Sequence, residues 1–249
     1  ASFQFVVDAL EDTPLAGRHV LAPDWRGFGL TEPPRPTDSY WFPDYLGDLD
    51  GLLSALGLAG PVDLVGHSMG GNVVTIYAGV RPARVRRVVN LEGWGLPRTE
   101  PADAPMRLAE DLKDYASRDE VAARLQRTNP RLAADKALWL AGHWARPGHD
   151  GRWRVLGDAA HKRPNAVLYR VEEILATWQR VAAPLLWVEG DDSRPEAWWG
   201  GRYSRDEFHA RLDAVPRSER QVLADAGHML HHDQPEALAA RLAAFLAPP

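Results

Sequence analysis

Short apolar segments of strand length alternate with amphipathic helical segments near both ends of the chain, and this alternation restricts the fold more than any other sequence feature. Residues 61–65, 85–91 and 184–189 are apolar runs of strand length. Strands separated by helices are joined by crossovers and run parallel in one sheet. The sequence therefore predicts the α/β class, with a doubly wound, mostly parallel sheet and helices on both faces.

The same rhythm predicts the remaining elements around this sheet. Two further strands are expected at residues 19–23 and 220–223. Apolar side chains at three- and four-residue spacing predict helices near the start of the chain and at residues 42–56, 73–80, 205–212 and from 235 onward. All of these elements lie in the first 96 or the last 66 residues.

The middle of the chain follows another pattern. From about residue 97 to residue 183 the sequence is charge-rich and mostly helical, including segments 106–125 and 131–144, without a convincing strand. We therefore predict a core formed by residues 1–96 and 184–249, with residues 97–183 inserted as a helical cap.

The strongest local motif is Gly66-His67-Ser68-Met69-Gly70, a G-x-S-x-G between a predicted strand and a predicted helix. That context is the one a nucleophile elbow requires, because a sharp turn there exposes the serine hydroxyl. Small residues are needed where the chain nearly touches itself. The N–H of Met69, at the helix N-terminus, is the expected oxyanion donor.

A serine hydroxyl needs a base within hydrogen-bonding reach, and histidine is best matched to that task. His228 follows the last predicted strand, so it lies at the same edge of the sheet as Ser68. His231 and His232 are near neighbours for which exposure or helix capping is the ordinary interpretation. A metal site at His231, His232 and Asp233 would lack evident further ligands.

Three motifs together carry a family resemblance. They are Asp24-Trp25-Arg26-Gly27-Phe28-Gly29, the elbow at residues 66–70, and Gly227-His228 followed by His232-Asp233-Gln234-Pro235-Glu236. In this order they resemble the α/β-hydrolase fold superfamily, and specifically its serine hydrolases with a helical cap, which are esterase-like. The resemblance implies that Ser68 is the nucleophile and His228 the base.

The acid of the triad departs from the family's commonest pattern, which is G-x-x-D after the penultimate strand. The third residue after Gly190 is Ser193. The family's other location is the end of the strand after the nucleophile helix, and Glu92 stands there. Glu92 is the preferred candidate, Asp192 the second and Asp191 a weaker one, because all keep the chain order of serine, acid and histidine.

Two further expectations follow from the resemblance. A second oxyanion donor normally comes from a His-Gly loop that precedes the first predicted helix. The chain opens directly in that helix, and we take an incomplete sequence as the favoured explanation. The candidate substrate contacts are Trp25 and Trp94, which each follow a strand end, and His67 beside the nucleophile.

Composition excludes several other classes of function. The 29 Lys and Arg against 34 Asp and Glu give a net charge of −5, which offers no electrostatic case for nucleic acid or an anionic membrane. No G-x-G-x-x-G, P-loop or H-E-x-x-H motif is present, so neither a cofactor nor a metal is predicted. The start, Ala1-Ser2-Phe3-Gln4, has no signal-peptide pattern, and a cytoplasmic protein is expected.

These features predict a serine hydrolase that cleaves a small or medium carboxylic ester, or a related acyl compound, through an acyl-enzyme. Its expected partner is therefore a small-molecule acyl substrate. Haloalkane dehalogenases and epoxide hydrolases share the fold but use an aspartate nucleophile, which Ser68 disfavours. Carbon–carbon bond, lactone or perhydrolase chemistry on the same triad remains an alternative, as does a non-catalytic ligand receptor on the same fold.

Overall fold

A computed structural model describes residues 2–31, 40–99, 112–162 and 169–247. The α-helices are α1 Gln4–Leu10, α2 Phe42–Ala55, α3 Met69–Val80, α4 Arg118–Thr128, α5 Ala134–Trp144, α6 Val171–Trp178, α7 Pro195–Trp198, α8 Arg205–Leu212, α9 Leu230–Asp233 and α10 Pro235–Leu246. The strands are β1 Val62–His67, β2 Val85–Leu91, β3 Asp114–Tyr115, β4 Ala145–Pro147, β5 Trp153–Val155, β6 Leu185–Gly190 and β7 Ser218–Leu223.

Four of the strands form one parallel sheet in the order β1-β2-β6-β7. Successive side chains of a strand point to opposite faces. In β6, Leu185 and Trp187 therefore pack into one apolar layer, and Leu186 and Val188 into the other. Helices cover both layers, which confirms the predicted doubly wound α/β architecture.

The two layers use different helices. The face of Trp187 packs against side chains of α2, α3, α6 and α8, including Leu53, Tyr77, Trp178 and Phe208. The opposite face packs against α1 and α10. Since all four strands run the same way, their carboxyl ends meet at one edge of the sheet, where sites of this class of fold form.

Most sheet elements agree with the sequence, and one does not. The strands predicted at 61–65, 85–91, 184–189 and 220–223 are all present, as are the predicted helices at either side of them. The strand predicted at residues 19–23 is wrong. Within the described chain this segment pairs with no strand, and Val20 and Leu21 are 45% and 46% exposed. Apolar composition favours a strand, but only a neighbouring backbone can complete one.

The region from 97 to 183 contains strands that the sequence did not reveal. Three segments of two or three residues form an antiparallel sheet in the order β3-β5-β4. The helix predicted over 106–125 begins only at Arg118, because Ser117 caps it by accepting a hydrogen bond from Glu120 N–H at 3.2 Å. Residues 106–111 of that prediction lie outside the described residues. The boundaries of the cap remain a prediction.

Among the helices in the described segments, none is long and apolar enough to cross a membrane.

Candidate active site

Ser68 occupies a sharp turn between β1 and α3. Its backbone has φ 53° and ψ −120°. Residues other than glycine rarely adopt a positive φ of this kind. The turn is held by Ser68 N–H, which donates to Leu91 O at 2.8 Å, and by Ser68 O, which accepts from Asn72 N–H at 3.1 Å. The segment is therefore a strained strand-to-helix turn, as the motif predicts.

Gly66 is required by this turn because the chain folds back on itself. A Cβ atom placed on Gly66 would lie 2.2 Å from the carbonyl oxygen of Gly70 and 2.7 Å from the backbone nitrogen of Gly71. Neither contact can be relieved by rotating a side chain. The absence of a side chain at Gly66 thus allows the end of β1 to approach the start of α3 closely at this turn.

We expect Gly66→Ala to lower the free energy of unfolding by about 3 kcal/mol, the upper range for forcing an extra methyl group into a packed site. Chemical denaturation of the purified variant would measure the loss. Gly51→Ala in α2 is the matched control, because a Cβ there meets nothing within 4 Å. That control should stabilise the helix by up to about 1 kcal/mol. Equal stabilities of the two variants would contradict the packing argument.

His228 and Glu92 meet Ser68 at the carboxyl edge of the sheet. His228 Nε2 lies 3.1 Å from Ser68 Oγ, and His228 Nδ1 lies 3.3 Å from Glu92 Oε2. Because an ionised carboxylate only accepts hydrogen bonds, the Glu92 contact places the imidazole proton on Nδ1. Nε2 is then free to accept the hydroxyl proton of Ser68, so the arrangement is able to activate the serine.

Glu92 is buried, with 1% of its surface exposed, and follows β2 with φ 57°. Its Oε1 accepts from Gly190 N–H at 2.7 Å, and its Oε2 accepts from Trp94 Nε1–H at 2.6 Å as well as facing His228. Buried carboxylates require such donors. The carboxylate of Glu92 is thus held by contacts from Gly190 at the end of β6, from Trp94 shortly after β2 and from the His228 loop.

The other two acidic candidates lie elsewhere. Asp192 Oδ2 accepts from Arg131 at 2.7 Å and its Oδ1 accepts from Arg194 at 3.1 Å, and these guanidinium groups lower the pKa of Asp192. Asp191 accepts from the backbone N–H groups of Asp225 and Ala226, which lower its pKa. The structure brings Glu92, and neither aspartate, to the His228 ring.

His67, expected to contact substrate, instead supports the histidine loop. Its Nε2 lies 2.7 Å from the carbonyl oxygen of His228, so Nε2 carries a proton and donates. Burial lowers the pKa of His67 to about 3, and it is neutral at physiological pH. On its other side its ring packs on that of His231, with the centroids 4.3 Å apart.

The histidines beside the site form a neutral stack. Burial also lowers the pKa of His231 well below its usual value and that of His232 to about 4. Their ring centroids lie 4.1 Å apart. Across the described ranges, no cluster of three or more His, Asp or Glu side chains has an arrangement that could hold a metal ion. The stack is therefore packing around the loop of His228.

Of the two predicted tryptophans, Trp25 lies beside the elbow. It is partly exposed, and its Nε1 lies 3.9 Å from where a Cβ on Gly70 would stand. Trp94 is 2% exposed and donates to Glu92, so the expected substrate contact at Trp94 does not fit its position. Trp198 is one of several tryptophans that the sequence places near the expected cleft, although Trp25 and Trp94 were preferred. It is 46% exposed and packs edge-on against His228, with the ring centroids 4.4 Å apart.

Met69, the expected oxyanion donor, begins α3 directly after Ser68. The backbone N–H groups of the first turn of a helix have no partner within the helix and lie at the positive end of its dipole. A negative charge that develops on an oxygen beside Ser68 would therefore face the favourable end of α3.

Comparisons with known proteins agree with this geometry. A sequence profile described as alpha/beta hydrolase fold matches residues 1–235. The mouse sn-1-specific diacylglycerol lipase ABHD11 is 27% identical over 245 residues, which cover 93% of this chain and 72% of the relative. The 2-(acetamidomethylene)succinate hydrolase of Mesorhizobium japonicum is 31% identical over 181 residues, covering 70% of this chain and 61% of the relative.

Similarity in three dimensions extends over nearly the whole chain. The solved structure of the thioesterase domain from the curacin biosynthetic pathway superposes with a TM-score of 0.79, at 24% identity, over 98% of this chain and 86% of that domain. The match shows a shared fold. The profile over residues 1–235 establishes that the chain belongs to the α/β-hydrolase fold family, and with the curated relatives it identifies a hydrolase of that superfamily.

Proposed function

We propose that the chain is a cofactor-independent serine hydrolase that cleaves carboxylic esters or related acyl compounds through an acyl-enzyme. The observation that carries the proposal is the continuous series of contacts from Ser68 Oγ to His228 Nε2 at 3.1 Å, and from His228 Nδ1 to Glu92 at 3.3 Å. Nucleophile, base and orienting acid are the three roles that acyl transfer requires.

In the proposed reaction His228 Nε2 takes the hydroxyl proton as Ser68 Oγ attacks the carbonyl carbon. Glu92, ionised, stabilises the imidazolium that forms. His228 then gives the proton to the leaving oxygen as the C–O bond breaks, which leaves Ser68 acylated. A water molecule that loses its proton to His228 attacks the acyl-enzyme, releases the carboxylic acid and regenerates the serine.

The tetrahedral intermediate carries a negative oxygen, and Met69 N–H is the proposed donor to it. One such donor contributes about 3 kcal/mol in the transition state. A complete oxyanion hole has two donors, and in the family that this chain resembles a His-Gly loop normally supplies the second.

The proposed substrate class is an acyl compound with an apolar portion. Trp25 beside the elbow and Trp198 against His228 are aromatic side chains placed to contact a group bound at Ser68. The relatives named a lipase and a hydrolase, and the structural neighbour named a thioesterase, share hydrolytic chemistry but differ in substrate. The same triad used for carbon–carbon bond, lactone or perhydrolase chemistry is the alternative.

Covalent labelling tests the proposal directly. A fluorophosphonate probe should label the folded wild-type protein at Ser68, while Ser68→Ala, which removes the hydroxyl and little else, should remain unlabelled. Turnover of acyl esters of graded chain length would then define the size of the acyl site. Absence of labelling in a folded wild-type sample would contradict the proposal and favour a non-catalytic receptor.

A further inference from the structure

Trp94 is hydrogen-bonded to Glu92, the buried carboxylate of the site. Its Nε1–H donates to Glu92 Oε2 at 2.6 Å, the same oxygen that faces His228 Nδ1 at 3.3 Å. The shorter contact is made by the indole, which is itself buried. Of the two side chains that share this oxygen, Trp94 is therefore the one that fixes where it lies.

The indole ring of Trp94 has almost no freedom to move. Trp187 and Phe208 meet it edge-to-face, with centroids 4.8 Å and 5.1 Å away. Tyr203 Oη donates to the carbonyl oxygen of Trp94 at 2.8 Å. Both the ring and its backbone are thus held by elements outside β2, and the N–H points at Glu92 before any substrate binds.

Arg205 lies over the face of this ring, with its guanidinium carbon 5.4 Å from the centroid. A cation on the ring face draws electron density from the indole and makes its N–H a stronger donor. Arg205 is held in turn by Glu189, whose Oε1 accepts from Arg205 Nη1 at 2.7 Å. The guanidinium is therefore held over the Trp94 ring by a buried carboxylate.

Glu189 provides an internal comparison for Glu92. It is also buried, and its Oε2 accepts from Trp187 Nε1–H and lies next to His209 Nε2, each at 2.8 Å. Two adjacent tryptophans thus donate to two different buried carboxylates, and only the carboxylate bonded to Trp94 contacts His228.

We propose that Trp94, supported by Arg205, is a positioning residue that holds the Glu92 carboxylate directed at His228 Nδ1. The catalytic meaning of this role rests on the proposed serine hydrolase function. Trp94 itself does not contact the reacting atoms.

The expected effect has a definite direction. A hydrogen bond from Trp94 stabilises the ionised carboxylate and reduces its attraction for a proton. Without that N–H, Glu92 becomes a stronger base towards the His228 ring. The protonated imidazole is then favoured, so activity that depends on neutral His228 should be lost at a higher pH than in the wild type.

Other charged and titratable groups surround these residues and must stay unchanged in the comparison. His67 and His231 lie in the ring stack beside His228. Arg131 and Asp233 approach the backbone at Gly227. Arg205 and His209 pack against the Trp94 ring, and Glu189 is paired with Arg205.

Trp94→Phe and Trp187→Phe form a matched pair that tests the proposal. Each removes one indole N–H from the same buried cluster, but the acceptors differ. We expect Trp94→Phe to lower kcat by about tenfold, the loss typical of a hydrogen bond to a charged group, and to move the acid limb of the pH–rate profile upward. Trp187→Phe should leave that limb in place, although it loses comparable stability.

Two further measurements keep the test decisive. Titration of the His228 ring by NMR should show the same upward movement in Trp94→Phe without any turnover, so failure of the hydrolase proposal is separable from failure of this one. Arg205→Gln changes a partly exposed side chain and keeps the indole N–H of Trp94. It should move the midpoint of the His228 titration upward by less than Trp94→Phe does. The proposal is overturned if the midpoint of the His228 titration stays the same or falls in folded Trp94→Phe. It is also overturned if that midpoint moves equally in Trp187→Phe. If Trp94→Phe does not fold, an unchanged midpoint in Arg205→Gln overturns the proposal.

Discussion

His228→Ala is expected to lower kcat for a nitrophenyl ester by about 10⁴-fold or more, a loss of the size seen when the base of such a triad is removed. The reason is that His228 Nε2, 3.1 Å from Ser68 Oγ, is the group placed to take the hydroxyl proton. Initial-rate assays at a saturating concentration of the ester would measure the change in kcat.

The control for His228→Ala is His149→Ala, the same substitution at an exposed histidine of the 97–183 region. It should retain wild-type kcat. Free imidazole added to His228→Ala should restore part of the activity, because a small base can occupy the vacated space. Retention of more than about one tenth of wild-type kcat in His228→Ala would contradict its role as the base, since general-base catalysis alone contributes ~10²-fold or more.

Glu92→Gln is expected to lower kcat by about 10²- to 10⁴-fold while leaving KM nearly unchanged. The amide matches the carboxylate in shape but carries no charge to stabilise the imidazolium. Its NH₂ group can also donate to His228 Nδ1, which would favour the tautomer with the proton on Nε2 and block the transfer from Ser68.

Asp192→Asn is the matched control for Glu92→Gln, since it makes the same change at the other acidic candidate. Asp192 is 40% exposed at its side chain and pairs with Arg131 and Arg194. Paired surface carboxylates contribute little to stability, so the variant should stay within about twofold of wild-type kcat. A larger loss in Asp192→Asn than in Glu92→Gln would refute the assignment of the acid.

The part of the site that depends on local sequence could be predicted. The elbow needs small residues around Ser68 and a strand and a helix on either side, and all of these lie within about 20 consecutive residues. The position of His228 followed from the same logic, because the ends of parallel strands share one edge of the sheet.

The identity of the acid could not be settled in that way. Glu92 and Asp192 both follow strands of the sheet and both keep the required chain order. What separates them is a contact across the chain, since Arg131, 61 residues away, draws Asp192 to itself. Trp94 was misplaced for a similar reason, because its core partners Trp187 and Phe208 lie far along the sequence.

The failed strand at residues 19–23 illustrates the same limit. Its apolar residues have the composition of a buried strand, but a strand forms only when its backbone pairs with that of a second segment. Trp198 was ranked below Trp25 and Trp94, because it lies in the four-residue helix α7 and its approach to His228 depends on the whole loop after β6.

Glu92 at the end of β2 has one further consequence for how the molecule can move. The serine and its acid are carried by a single strand–helix–strand unit, and β1 and β2 are neighbours along their full lengths. The loop beyond Gly190, which includes Trp198, lies outside that unit. Rearrangement of this loop around substrates of different bulk can therefore reshape the entrance while Ser68 and Glu92 keep their relative position.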